Sequence, residues 1–205
     1  MLGTLYIISA ASGTGKTSLV NALVRSFKNM QISVSYTTRP KRSNEADGKD
    51  YHFVAQRQFD KMVDNQEFLE HAIVFGKHYG TAKLDVQKKL DEGVDIVLEI
   101  DWQGAQEIRR HMDKTLSIFI LPPSKQELER RIVGRNQDAQ AIIKQRLKAA
   151  GNEIKHYNEY DYLIVNDDFD EALNALRAII LAQRNRQETR GQELQKLLEE
   201  LTTGE

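Results

Sequence analysis

The stretch SAASGTGKTS, Ser9 to Ser18, follows directly on the apolar run Leu5, Tyr6, Ile7, Ile8 and precedes a helical pattern with Leu19, Val20, Leu23, Val24 and Phe27 on one face. Strand, glycine loop, helix is the context in which G-x-x-x-x-G-K-[ST] cradles a phosphate. The match has one departure, Ala10 in place of the first glycine. Gly13 and Gly15 permit backbone conformations that aim successive N–H groups at one anion. The following helix adds its positive end. Lys16 is then placed to bridge the β- and γ-phosphates, and the Thr17 hydroxyl to ligate Mg²⁺. Ala10, Ala11, Ser12, Gly13, Thr14, Gly15, Lys16, Thr17 and Ser18 are the expected triphosphate cradle. ATPases, GTPases and small-molecule kinases all use such a loop. The Asn-Lys-x-Asp element by which GTPases read guanine is absent from the sequence.

Around this loop the chain reads as one α/β unit. Its 205 residues suffice for one sizeable core. Four apolar runs, LYIIS, VDIVLEI, LSIFIL and DYLIVN, are continuous rather than alternating, as strands covered on both faces of a parallel sheet are. Helices are expected over 56–65, 83–92, 103–111, 124–133 and 139–156, and from about Asp170 onward. The segment 33–81 breaks this rhythm with short strands and turn residues, which predicts a small mixed or antiparallel lobe beside the main sheet. GRNQD, from Gly134, interrupts a helix and predicts the tip of a lid spanning about 125–156. The core is expected over about 1–32, 82–124 and 157–190. The charged stretch 182–205 predicts a solvated helical tail, with a homo-oligomer contact as the alternative.

A formal net charge of −1 favours neither nucleic acid nor membrane as a partner. No apolar stretch approaches the roughly 20 residues of a membrane helix. The start, MLGTLYIISA, lacks a basic region, so no signal peptide is expected. The absence of cysteine excludes disulfides and thiolate chemistry and fits a reducing, cytoplasmic setting.

Ligands of open α/β sheets gather at the carboxyl ends of the strands. Here those ends carry SAAS, Glu99–Asp101 and Asn166. Asp101 is a candidate for a metal or a polar ligand. Arginines suggest a second anionic substrate, because phosphoryl transfer between two polyanions needs fixed cations and guanidinium binds phosphate bidentately. TTRPKR supplies Arg39 and Arg42; ERRIVGR supplies Arg131 and Arg135; KQRLKAA supplies Arg146 beside an apolar stripe.

SVSYTTRPKR, GKDYHFV, FLEHAIVFGKHYGT, LEIDWQGAQ, RRIVGR and YLIVNDD follow the glycine loop in this order. Together they resemble the guanylate kinases, in their bacterial form, from about Thr4 to Leu181. The resemblance implies a parallel-sheet core with a GMP-binding lobe and a helical lid, and Mg²⁺-dependent transfer of the ATP γ-phosphate to GMP, and by extension dGMP. It implies that Ser35, Glu70, Thr81 and Asp101 face guanine, and that Arg39, Arg42, Tyr51 and Tyr79 hold the GMP phosphate. It further implies that Lys16, Arg39, Arg131, Arg135 and Arg146 serve the transferring phosphoryl group. Arg135 and Asn166 fall to the ATP side. The base assignment has physical sense. Guanine presents N1–H and a 2-amino group side by side, and one carboxylate can accept both, whereas adenine would leave Glu70 unpaired.

Three departures from the family pattern stand out: Ala11 where many relatives have proline, Pro40–Lys41 before Arg42, and Asn136 in place of a lid glycine. The five histidines need no catalytic role, because a GMP phosphate oxygen is already anionic at neutral pH. Two other readings stay open on the residues alone. One is a scaffold-type binding module, against which the intact GTGKT argues. The other is a kinase for a different nucleoside monophosphate, which would not need Glu70 among hydroxyls.

Overall fold

A computed structural model describes residues 2–74, 76–112, 114–134, 140–191 and 194–203. Its main sheet is five parallel strands in the order β2-β7-β1-β8-β9. These are β1 (Leu5–Ala10), β2 (Met30–Ile32), β7 (Asp95–Glu99), β8 (Thr115–Leu121) and β9 (Tyr162–Val165). Four of them are the expected apolar runs. The fifth, β2, is a three-residue edge strand that no apolar run announces.

For β1, β7 and β8 the continuous apolar runs follow from the two-sided cover of the sheet; the edge strand β9 leaves Tyr162, Leu163 and Val165 exposed. Successive side chains of β1 point to opposite faces, and both faces are sealed. Tyr6 and Ile8 pack with Leu19 and Leu23 of α1 (Lys16–Ser26) and with Leu173, Leu176 and Ile180 of α7 (Phe169–Arg184). Leu5 and Ile7 pack the other way, with Val86 and Leu90 of α3 (Lys83–Asp91) and Ala105 and Ile108 of α4 (Trp102–His111). The start of α7 is set by Asp168, whose side chain accepts from the Asp170 and Glu171 N–H groups.

The segment between β2 and α3 forms a second sheet of four strands, ordered β4-β3-β6-β5. These are β3 (Tyr36–Thr37), β4 (His52–Phe53), β5 (Phe68–Val74) and β6 (Lys77–Ala82), with α2 (Gln56–Asp64) between β4 and β5. It is mixed: β3 pairs parallel with β4 and antiparallel with β6, and β5 pairs antiparallel with β6. Phe59 of α2, fully buried, stacks on Phe68 at 4.6 Å and closes this small core.

Two helices, α5 (Lys125–Gly134) and α6 (Gln140–Ile154), follow β8. Ser124 accepts the Glu127 N–H at 3.1 Å and starts α5. The expected lid tip, with Arg135 and Asn136, lies outside the described residues. Leu128 and Ile132 of α5 join Ala150 of α6 in a small apolar cluster that includes Ala11 of the glycine loop. After α7, the short helix α8 (Gln187–Arg190) and the helix α9 (Gln195–Thr202) bury no residue. Among the described residues no helix is long and apolar enough to cross a membrane.

Candidate active site

The carboxyl ends of β1 and β7 open onto a cleft of about 320 Å³ shared by both sheets. One wall is the glycine loop, residues 10–17. Its shape comes from backbone freedom: Gly13 and Gly15 have φ of 94° and 90°, in the left-handed region where a side chain is strained. Thr14 closes the turn by donating its hydroxyl to the Ala11 carbonyl at 2.8 Å. Gly15 is the N-cap of α1 and offers no side-chain acceptor, and no acidic residue stands in the first turn. The helix's leading N–H groups therefore remain open to an anion. Lys16 reaches across the loop, its Nζ donating to the Ile100 carbonyl at 3.1 Å.

Asn166 supports the loop from beyond the lining of the cleft. Its amide donates to the Thr14 carbonyl at 2.6 Å, and a Cβ at Gly15 would stand 2.7 Å from that same amide nitrogen. The expected ATP-side residue thus touches the loop's backbone.

The opposite wall holds Glu70, on β5, 3% exposed. Thr81, its partner across the β5–β6 pair, donates its hydroxyl to Oε1 at 2.6 Å. Burial pushes the Glu70 carboxyl up to about 7, with the Thr81 bond opposing and Asp101 adding to the rise. Asp101 lines the cleft too and caps α4 by accepting the Gly104 N–H at 3.0 Å. A Cβ at Gly104 would lie 2.5 Å from Glu70 Oε2, so the glycine is what lets the carboxylate lie against the start of α4. Ser35, Tyr51 and Tyr79 complete this end, the two tyrosine rings edge-to-face at 5.9 Å.

The arginines are arranged differently. Arg39 stands outside the cleft lining, bound to Glu45 by two hydrogen bonds of 2.9 and 2.8 Å. Its guanidinium also lies 5.3 Å from the centre of the Tyr51 ring, within cation–π range. The Glu45 bond holds Arg39 well above its ordinary value, although burial opposes this. Arg42, with a side chain 67% exposed, faces the same carboxylate at 3.8 Å. Arg131 binds Glu127 at 2.6 Å and the Asn166 carbonyl at 3.0 Å. Arg130 and Arg131 together hold the Glu127 carboxyl down at about 2. Arg146 is half-buried on α6. Of the expected site residues, the cleft lining brings together 10–17, Ser35, Tyr51, Glu70, Tyr79 and Asp101. Ser18, Arg39, Arg42, Thr81, Arg131, Arg146 and Asn166 lie outside it.

Two acidic residues of the lining were not among the candidates, Glu99 and Glu153. Glu99 ends β7 and accepts the Thr17 hydroxyl. Its place in the EID strand end was the available signal. Glu153 on α6 accepts the Ser12 N–H at 3.0 Å. No motif marks it, because the contact spans 141 residues of chain. His156 stacks on Trp102 at 3.7 Å and bonds Glu159, and His52 stacks on Tyr36.

A phosphate cradle with its lysine, facing a buried carboxylate flanked by hydroxyls, is suited to seat a nucleoside triphosphate against a smaller polar ligand. The comparisons agree with that architecture. The chain is 54% identical to a guanylate kinase of Alkalilimnicola ehrlichii over 98% of its own length and 99% of that protein's. It is 53% identical to a guanylate kinase of Methylococcus capsulatus, covering 97% and 98%. Among solved structures, the crystal structure of guanylate kinase from Anaplasma phagocytophilum superposes with a TM-score of 0.76 at 38% identity, over 90% of this chain and 88% of that one. The family model described as guanylate kinase matches residues 2–183, and with both the sequence and the cleft in agreement, this chain belongs to the guanylate kinase family.

Proposed function

We propose that the cleft carries out ATP-dependent phosphorylation of GMP, with the chain's residues in the following roles. The carrying observation is Glu70, a buried carboxylate held by Thr81 in the same cleft as the phosphate loop. Ionised, it accepts guanine N1–H and the 2-amino group together. Ser35 supplies a hydroxyl toward O6 or N7, Thr81 orients the Glu70 carboxylate through its own hydroxyl, and Asp101 completes the polar wall. The GMP phosphate is held by Tyr51, Tyr79, Arg39 and Arg42. Arg39 and Arg42 already share one carboxylate, Glu45, so a phosphate takes over contacts for which a carboxylate stands in.

The loop N–H groups and Lys16 hold the ATP phosphates, and Asn166 braces the loop. A phosphate oxygen of GMP attacks the γ-phosphorus in line. The new P–O bond forms as the β–γ bridging P–O bond breaks, and ADP leaves with the bond's electron pair. No base is needed, since the attacking oxygen is already ionised. Arg131, Arg146 and Arg135, the last outside the described residues, compensate the charge of the transferring group.

Mg²⁺ fits the loop by donor chemistry. The Thr17 hydroxyl and the Glu99 carboxylate, bonded to each other, offer hard oxygen ligands beside the phosphate cradle. Among the described residues no group of three or more His, Cys, Asp or Glu forms a closed metal cage. Such an ion would be held by Thr17, with the Glu99 carboxylate beside it, and would supply charge neutralisation at the nucleotide phosphates.

A coupled ADP-release assay with GMP, dGMP, AMP, UMP and dTMP tests this function. GMP turnover exceeding AMP turnover in kcat/KM by ~10⁴ is the expected result. Equal turnover of GMP and AMP would overturn the role of Glu70.

A further inference from the structure

The contact between Glu153 and the phosphate loop has no part in the roles above. Oε2 of Glu153 accepts the Ser12 N–H at 3.0 Å, and both residues line the cleft. One turn earlier on α6, Ala150 is fully buried in the cluster formed by Ala11, Leu128 and Ile132. A Cβ at Gly13 would meet Ile132 Cγ1 at 2.8 Å. The phosphate loop and the two helices after β8 thus meet in one joint, apolar on one side and closed by the Glu153–Ser12 bond on the other. The apolar half is non-directional and sets contact without fixing the helix's register. A hydrogen bond to a backbone N–H of a rigid loop is directional and fixes it.

Arg146 stands on the same helix, half-buried. It precedes Glu153 by seven residues, two helical turns, so the two share a face about 10 Å apart along the axis. We propose that Glu153 is a positioning residue: its bond to Ser12 fastens the C-terminal half of α6 to the phosphate loop and so sets where Arg146 stands against the transferring phosphoryl group. This rests on the role given to Arg146 above. Burial raises the Glu153 carboxyl from its ordinary value, while the Ser12 N–H and Lys16 oppose the rise. Either protonation state keeps an oxygen able to accept from Ser12, and so does the amide of glutamine. Aspartate, one methylene shorter, keeps the charge but falls short of the N–H.

The test is steady-state kinetics of Glu153→Gln, Glu153→Asp, Glu153→Ala, Arg146→Lys and the Glu153→Ala/Arg146→Lys double variant, each checked by thermal melting. Misplacing a catalytic group by about 1 Å can cost ~10²-fold. The expectation is that Glu153→Ala and Glu153→Asp lose about 10-fold or more in kcat, with both nucleotide KM values within about threefold of the parent. Glu153→Gln recovers to within about threefold. Arg146→Lys, which removes the guanidinium fork, lowers kcat in the parent but changes it by less than about twofold in the Glu153→Ala background. Parental kcat in Glu153→Ala, or a Gln variant as slow as Ala, would overturn the positioning bond. Multiplicative losses in the double variant would overturn the link to Arg146 while leaving that arginine's own role standing. An inert Arg146→Lys would remove both.

Discussion

At the scale of single residues, Glu70 carries the strongest prediction. Its carboxyl is raised to about 7 by burial, so the folded state holds that proton more tightly than the unfolded chain does. The stability this contributes is present below the ordinary carboxylate range and is lost as pH rises through about 7. Glu70→Gln, neutral at every pH, should therefore melt higher than the parent at pH 8, by roughly 2–4 °C per kcal/mol relieved, and the gap should close toward pH 4.5. Guanine binding has the opposite sign, because only the ionised form accepts two donors. GMP kcat/KM in the parent should fall as pH drops below about 7, and this component should be missing from a Glu70→Gln profile taken in parallel. A Gln variant with the parent's slope would contradict it. The residue's presence in FLEHAIVFGKHYGT was legible, but its burial was not, since Glu70 looks like any strand carboxylate until Thr81 and Gly104 are seen against it. The pairing of Arg39 with Glu45 was likewise hidden, because Glu45 sits in a charged loop with no periodicity.

At the scale of elements, the strand–loop–helix unit was the most legible part. The spacing of glycines, lysine and threonine dictates a backbone nest, and Gly13 and Gly15 adopt the positive φ that this requires. The parallel strands β1, β7 and β8 showed themselves as continuous apolar runs because both faces are covered, whereas the edge strand β9, equally apolar in sequence, leaves Tyr162, Leu163 and Val165 exposed. The edge strand β2 did not show itself in this way, being three residues long with Gln31 exposed in the middle. Which residues meet between particular elements left little sequence signal. Gly104 is the clearest case: alanine there would favour the helix by roughly 1 kcal/mol on propensity, yet its Cβ would press on Glu70 Oε2 at 2.5 Å. Gly104→Ala should raise the GMP KM about 10-fold or more and leave the ATP KM near the parent value; an unchanged GMP KM would show that the carboxylate is not held by this approach. Asn166→Ala removes the 2.6 Å bond to the Thr14 carbonyl. The expected cost is about 1–3 kcal/mol, read as a lower Tm in the empty protein together with a raised ATP KM.

At the scale of the whole molecule, two sheets share one cleft, so the purine end and the phosphate end are built on different layers. The α/β class and the inserted small sheet were legible from strand length and spacing. The contact of the helices after β8 with the phosphate loop was not, because it joins Ala11 to Leu128, Ile132 and Ala150 from far along the chain. The tail stands apart from this architecture: α8 and α9 bury no residue, and the family match ends at 183. Ending the chain after Arg190 should therefore leave kcat and both KM values within about twofold, and a collapse of activity would place the tail in the working structure. The central claim, that a buried carboxylate selects the purine, is tested most directly by a crystal structure with GMP bound. The account predicts both Glu70 carboxylate oxygens within hydrogen-bonding distance, about 2.7–3.2 Å, of guanine N1 and N2; a base seated elsewhere, with Glu70 still bonded to Thr81 alone, would contradict it.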